Sequence, residues 1–198
     1  MRKIFVGVTG ASGMPLTRLV LRELSAMAEV ETHCVISPAA LSVLEIECSA
    51  GPEVLTALAE HAYSADNFGA GPASGSWWHD ADGSAMLIIP CSMGTLGALA
   101  GGGSRNLIHR AGDVALKEGL PLVLVTRESP LSLVHLRNML TLKEAGAVIM
   151  PFSPGFYMLP QTLEEMLRQF SGRIFDQLGL RHTCPRWGQQ PLRTGGGT

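Results

Sequence analysis

The stretch Lys3-Ile4-Phe5-Val6-Gly7-Val8-Thr9-Gly10-Ala11-Ser12-Gly13-Met14-Pro15-Leu16 decides the architecture. Residues 3–8 are an apolar, partly β-branched run of strand length. From Pro15 onward, Leu16, Leu19, Val20, Leu24 and Met27 recur at helical spacing. Pro15 suits a first helical turn, where its missing N–H costs nothing. Between strand and helix stands Gly10-Ala11-Ser12-Gly13. Glycine adopts positive φ and lets backbone N–H groups come close to a ligand. Ser12 can cap the helix, or offer its hydroxyl to a phosphate at the positive end of the helix dipole. The turn matches neither GxGxxG nor GxxxxGK[ST]. A tight structural turn and a phosphate-binding turn both fit, and its place at the end of the first strand favours the second.

The same alternation continues along the chain. Strands are expected at 32–37, 85–90, 121–126 and 148–150, and helices at 38–47, 95–100, 107–118, 131–145 and 161–178. Residues 69–84 are rich in Gly, Ser, Ala and Asp and read as loop. Near-continuous apolar strands alternating with helices imply a three-layer, doubly wound α/β fold with a mostly parallel sheet, flavodoxin-like or Rossmann-like. Residues 1–182 form one domain on this reading, and 183–198 a tail that is flexible or packed on a neighbouring subunit.

Composition narrows the function classes. The chain has 198 residues, 46% hydrophobic and 16% charged, a balance that opposes disorder. A formal net charge of -2 gives no general attraction to nucleic acid or an anionic membrane. No apolar run is long enough to cross a bilayer. Met1-Arg2-Lys3 leads straight into the first strand, so no signal peptide is expected. Cys34, Cys48, Cys91 and Cys184 are widely spaced without a CxxC, which suits reduced thiols in the cytoplasm.

Ligands of such sheets bind outside the carboxyl ends of the strands. The residues expected there are Gly10–Gly13, Ser37, Cys91–Thr95, Arg127–Glu128 and 151–157. Pro90-Cys91-Ser92-Met93-Gly94-Thr95 offers two hydroxyls and a glycine, or an ordinary Ser cap. Cys91 has no neighbouring His to activate it and reads as a packed thiol. Arg127 can clamp a phosphate through its planar fork, and Glu128 can pair with it or move a proton. Arg110, Asp113 and Lys117 stand at i,i+3 and i,i+4 spacing and read by themselves as a solvated ion-pair network. The six histidines show no metal-ligand spacing, and His79-Asp80 with Asp82 reads as a solvated acidic loop.

Taken together and in order, these segments resemble the UbiX-type flavin prenyltransferases over roughly residues 3–187. The resemblance rests on Gly10-Ala11-Ser12-Gly13, Glu31-Thr32-His33, Leu44-Glu45-Ile46-Glu47, Ser74-Gly75-Ser76 and Ile89-Pro90-Cys91-Ser92. It continues through Arg110-Ala111-Gly112-Asp113, Leu116-Lys117-Glu118, Arg127-Glu128-Ser129-Pro130, His135-Leu136-Arg137-Asn138 and Gly155-Phe156-Tyr157. It implies transfer of a dimethylallyl group from dimethylallyl phosphate or diphosphate to N5 and C6 of reduced FMN. The prenylated FMN then serves a UbiD-type decarboxylase. It further implies a metal-independent homo-oligomer, often a dodecamer in this family, with sites between subunits.

By motif, the resemblance puts FMN on Gly10, Ala11, Ser12, Ser37, Ser92, Met93, Gly94, Thr95 and Arg127. The prenyl phosphate falls to Arg110, Lys117, Tyr157 and Arg173, with Glu47 and Glu128 as carboxylates of the site. Tyr157, Trp77 or Trp187 would offer an aromatic face to a cationic prenyl fragment. The segment 77–83 is longer than usual for the family and would shape the pocket wall or a subunit contact. Two other readings compete: a non-catalytic module that binds and delivers FMN, and a phosphopantothenoylcysteine-decarboxylase-like flavoprotein. The second lacks its Pro-x-Met-Asn motif here. A carrier needs no second phosphate site.

Overall fold

The structure is a computed structural model and describes residues 1–186 and 188. Six strands form one all-parallel sheet in the order β3-β2-β1-β4-β5-β6. They are β1 (Arg2–Val8), β2 (Val30–Ile36), β3 (His61–Tyr63), β4 (Ala85–Cys91), β5 (Leu122–Thr126) and β6 (Val148–Pro151). The helices are α1 (Met14–Ser25), α2 (Pro38–Cys48), α3 (Glu53–Thr56), α4 (Gly75–Trp78), α5 (Met93–Ala100), α6 (Leu107–Lys117), α7 (Leu133–Glu144) and α8 (Leu163–Leu178).

Strand pleating sends alternate side chains to opposite faces. Ile4, Val6 and Val8 meet α1, α2, α3 and α8, through Leu16, Val20, Leu44, Leu55 and Ile174. Phe5 points the other way, into a core with Trp78, Leu96, Ile108, Val114 and Leu142 from α4 to α7. The expected three layers are therefore present. After β1 the chain winds one way to β2 and β3, and then the other way to β4, β5 and β6. The reversal lies between β1 and β4, so a crevice opens at their carboxyl ends.

Several details depart from the sequence reading. Strand β3 has three residues, too few to show a period. The 69–84 loop contains a 3-10 turn at Gly71–Ala73 and helix α4, whose Trp78 is fully buried. Trp77 does not reach the carboxyl edge. It packs edge-on to His33 and under the Lys3 ammonium, at the start of β1, so it does not line the crevice of its own chain. Trp187 and most of the 183–198 tail lie outside the described residues. Helix α7 buries Met139 and Leu142 but exposes Leu133, Val134, Leu136 and Leu140, each by about half or more. An apolar stripe faces outward from this helix.

Candidate functional site at the carboxyl edge of the sheet

Two strand-to-helix turns meet where the winding reverses. Thr9 fastens them: its buried hydroxyl donates to Pro90 O at 2.7 Å and accepts from Ser92 N–H at 2.8 Å. Thr17, in the first turn of α1, adds a bond to Ile89 O at 3.3 Å. Neither threonine stands out in the sequence as a site residue. Ser37 joins them through its N–H, which donates to Val8 O at 2.9 Å. Its hydroxyl oxygen caps α2 by accepting from Ala40 N–H at 3.3 Å. Gly10 lies so close to α2 that an added Cβ would sit 2.6 Å from the Ala39 Cβ. Only glycine permits that approach.

The Gly10–Gly13 turn is capped from a distance. Gly13, at φ +131°, has no side chain to cap α1. Glu47, from the end of α2, supplies the acceptor instead: one carboxylate oxygen takes Gly13 N–H at 3.0 Å and Met14 N–H at 2.8 Å. The Ser12 hydroxyl donates to the same carboxylate. Partial burial pushes the Glu47 carboxyl up, but these hydrogen bonds and the Arg127 charge outweigh it and hold the group below its ordinary value. Glu47 is therefore an anion at neutral pH. The positive end of α1, expected to hold a phosphate, holds a carboxylate.

The second turn caps itself. The Ser92 hydroxyl oxygen accepts from Thr95 N–H at 3.2 Å, starting α5. An added Cβ on Gly94 would meet nothing closer than the Ser92 Oγ at 3.9 Å, so the backbone there is open to a ligand. Cys91 is fully buried, and burial pushes its thiol up to about 12, which removes it as a nucleophile. Arg127, after β5, completes this edge. Its Nε is buried without a hydrogen-bond partner. The Arg127–Glu128 pairing allowed by the sequence does not form; Glu128 accepts from Ser129 N–H at 3.0 Å instead. A buried guanidinium N–H without a partner is costly and marks a place for an anionic or carbonyl acceptor. Tyr157 is exposed on the 152–162 segment that follows β6 on the same edge.

The remaining candidates stand elsewhere in the chain. Lys117 ends α6, which runs antiparallel to the strands. It pairs with Glu118 rather than with Asp113, and Glu118 in turn meets His79 at 3.1 Å. The adjacent Asp80 pairs with Lys3 at 3.5 Å, at the start of β1. Lys117 thus belongs to the amino edge of the sheet. Arg173 pairs with Asp176 at 2.6 Å in α8, whose end is bound by Arg2 through Leu178 O and Gly179 O. It too lies toward the amino edge. Arg110 forms the expected i,i+3 pair with Asp113 at 2.7 Å and donates to Ala73 O at 3.1 Å.

A family model described as Flavoprotein matches residues 1–168. Flavin prenyltransferase PAD1, mitochondrial, of Saccharomyces cerevisiae is 45% identical over 190 residues, covering 94% of this chain and 75% of its own. Flavin prenyltransferase UbiX of Pseudomonas aeruginosa is 43% identical, covering 96% of each chain. Among solved structures, AnUbiX (PadA1) in complex with FMN and dimethylallyl pyrophosphate is 41% identical, with a TM-score of 0.90 over 96% of this chain and 99% of its own. A dodecameric FMN-dependent UbiX-like decarboxylase from Escherichia coli O157:H7 is also 41% identical, with a TM-score of 0.88 over 93% of this chain and 98% of its own. The peptidyl-cysteine decarboxylase EpiD, at 17% identity and a TM-score of 0.57, shares the fold alone. The chain belongs to the flavoprotein family and, within it, to the UbiX-type flavin prenyltransferases.

Proposed function

We propose that this protein transfers a dimethylallyl group from dimethylallyl phosphate or diphosphate to N5 and C6 of reduced FMN. The product, prenylated FMN, passes to a UbiD-type decarboxylase. One observation carries the reading: the crevice between β1 and β4 joins the open backbone at Gly94 to a guanidinium Nε without a partner. That donor set fits a flavin phosphate and ring edge. The residues to hold FMN are Gly10, Ala11, Ser12, Ser37, Ser92, Met93, Gly94, Thr95 and Arg127. When bound, reduced FMN supplies the nucleophilic nitrogen and carbon of the reaction.

The chain's own groups do the rest. Arg110, Lys117, Tyr157 and Arg173 are assigned to the prenyl phosphate. Cations and oriented donors there stabilise the negative charge that grows on the leaving phosphate. Tyr157 presents an aromatic face to the cationic prenyl fragment. The Ser12–Glu47 pair is suited to accept a proton, because a proton reaching the Ser12 oxygen passes along its hydrogen bond to an ionised carboxylate. Glu128 is the second carboxylate in reach of this edge.

Because the phosphate residues Lys117 and Arg173 lie toward the amino edge, a second copy of the chain is needed to bring them to the crevice. The exposed stripe of Leu133, Val134, Leu136 and Leu140 supplies an apolar surface for such contacts. A homo-oligomer with shared sites, up to a dodecamer, is part of this proposal. So is a cytoplasmic location, which suits four free cysteines. Among the described residues, no helix is long and apolar enough to cross a membrane.

Anaerobic incubation with reduced FMN and each prenyl donor, followed by mass analysis of the flavin, tests the activity. A gain of one five-carbon prenyl unit is the expected result. Flavin of unchanged mass with both donors refutes it, and tight FMN binding in that case would point to the carrier reading.

A further inference from the structure

At the free edge of the sheet, far from the crevice, Glu31, His33 and His61 converge. Glu31 and His33 are two apart on β2, so they share a face, and His61 is the direct partner of His33 on β3. The Glu31 Oε1 lies 2.9 Å from His61 Nε2 and 3.4 Å from His33 Nε2. All three ligand atoms fall within 4.8 Å of one another. His33 is 2% exposed, and its Nε2 has no hydrogen-bond partner. Its Nδ1 is 3.0 Å from the Tyr63 hydroxyl. In the tautomer that donates from Nδ1 to the Tyr63 oxygen, Nε2 aims a lone pair at the cluster.

We propose that Glu31, His33 and His61 form a binding site for a divalent transition-metal ion of the zinc class. Two imidazoles and one carboxylate are a donor set for such ions, and tetrahedral zinc spaces its ligand atoms by about 3.4 Å. The two rings now stack, with centroids 4.7 Å apart and planes 14° apart. His61 is half exposed on a three-residue edge strand, so a tilt of its ring turns Nε2 toward the same point as His33 Nε2. A groove beside the cluster carries Glu29, Glu31, Asp80 and Asp82 against Arg2 and Lys3, which favours entry of a cation. The Lys3 ammonium is held by Asp80 and by the face of Trp77 at 4.4 Å. An open fourth position toward this groove would be filled by water. The site takes no part in prenyl transfer. The chain lacks an HExxH-type spacing because its ligands come from adjacent strands.

The test uses the full chain, stripped with a chelator and then titrated with Zn²⁺ against a chromophoric competitor. Co²⁺ serves as a spectroscopic probe. The parent is expected to bind one equivalent per chain. His61→Ala and Glu31→Gln should each weaken binding at least ten-fold, on the scale of a lost ligand. His182→Ala removes a histidine outside the cluster and should leave binding unchanged. FMN binding should be equal in all four proteins, which shows that each is folded. No Zn²⁺ binding by the parent, or equal affinity in His61→Ala and Glu31→Gln, overturns the proposal.

Discussion

The two edges of this sheet do different work. At the carboxyl edge, the polar groups are either fastened to one another or left facing the crevice. Thr9 ties two turns together, Glu47 caps a helix that cannot cap itself, and the Arg127 Nε lacks an acceptor. At the amino edge, the cations are consumed by local carboxylates: Lys117 by Glu118, Lys3 by Asp80 and, lower on α8, Arg173 by Asp176. An edge with donors to spare suits a ligand that binds within one chain. The Lys117 and Arg173 side chains are themselves more than half exposed, and such surface pairs contribute little. On the proposed function, a ligand seated on another copy draws these cations away, and one chain therefore carries two unlike halves of a site.

The largest expected effect separates those halves. Lys117→Ala should lower turnover on the order of 100-fold, the range for losing a group that stabilises developing charge. FMN affinity should not change, as read by fluorescence titration. Arg173→Ala should act in the same direction. Equal loss of FMN binding would break the comparison, by placing these cations on the flavin. Next comes Arg127→Ala. A charge-assisted hydrogen bond contributes roughly 1.5–3 kcal/mol, so FMN binding should weaken roughly ten- to hundred-fold. Arg127→Lys should recover little of it, since an ammonium lacks the planar fork.

Smaller effects sharpen the account of the two turns. Glu47→Ala removes the only side-chain acceptor described at the start of α1 and should cost about 1–2 kcal/mol in chemical denaturation. Glu47→Gln keeps an acceptor oxygen and isolates the charge. The native carboxyl lies below its unfolded value near 4.5, so on acidification the unfolded chain binds the proton first. The stabilisation is complete above that value and is lost as the pH falls through the native one. The difference in stability between parent and Glu47→Gln should therefore be largest near neutrality and shrink as the pH falls below the unfolded value. Ser92→Ala, which removes a local cap, should cost about 1 kcal/mol and weaken FMN binding only modestly.

Much of the fold is legible from local pattern. The run from Lys3 to Val8, the fully apolar β4 and the caps at Ser37 and Ser92 report their roles through neighbours in sequence. The three residues of β3 carry no period, and α4 hides inside a Gly- and Ser-rich segment that is held by one buried tryptophan. The positions that the resemblance assigns to FMN all fall among those the strand ends mark for a ligand. The grip of Glu47 on the Gly13 and Met14 N–H groups does not follow from strand ends, because it depends on how α2 lies across α1, about 34 residues apart in sequence. Helix direction, rather than motif, sends Lys117 to the far edge. The outward stripe on α7 has the same cause: helical spacing identifies an apolar face but not what covers it.

Co-assembly decides whether the crevice and the phosphate residues of one site come from different chains. Arg127→Ala damages the crevice, and Lys117→Ala damages the phosphate half. Each variant alone should produce little prenylated FMN. Co-expressed and purified as mixed oligomers, they should regain a substantial share of the parent's turnover, because some interfaces pair an intact crevice with an intact lysine. Mixed oligomers no more active than the separate variants would contradict the account and return both halves to a single chain.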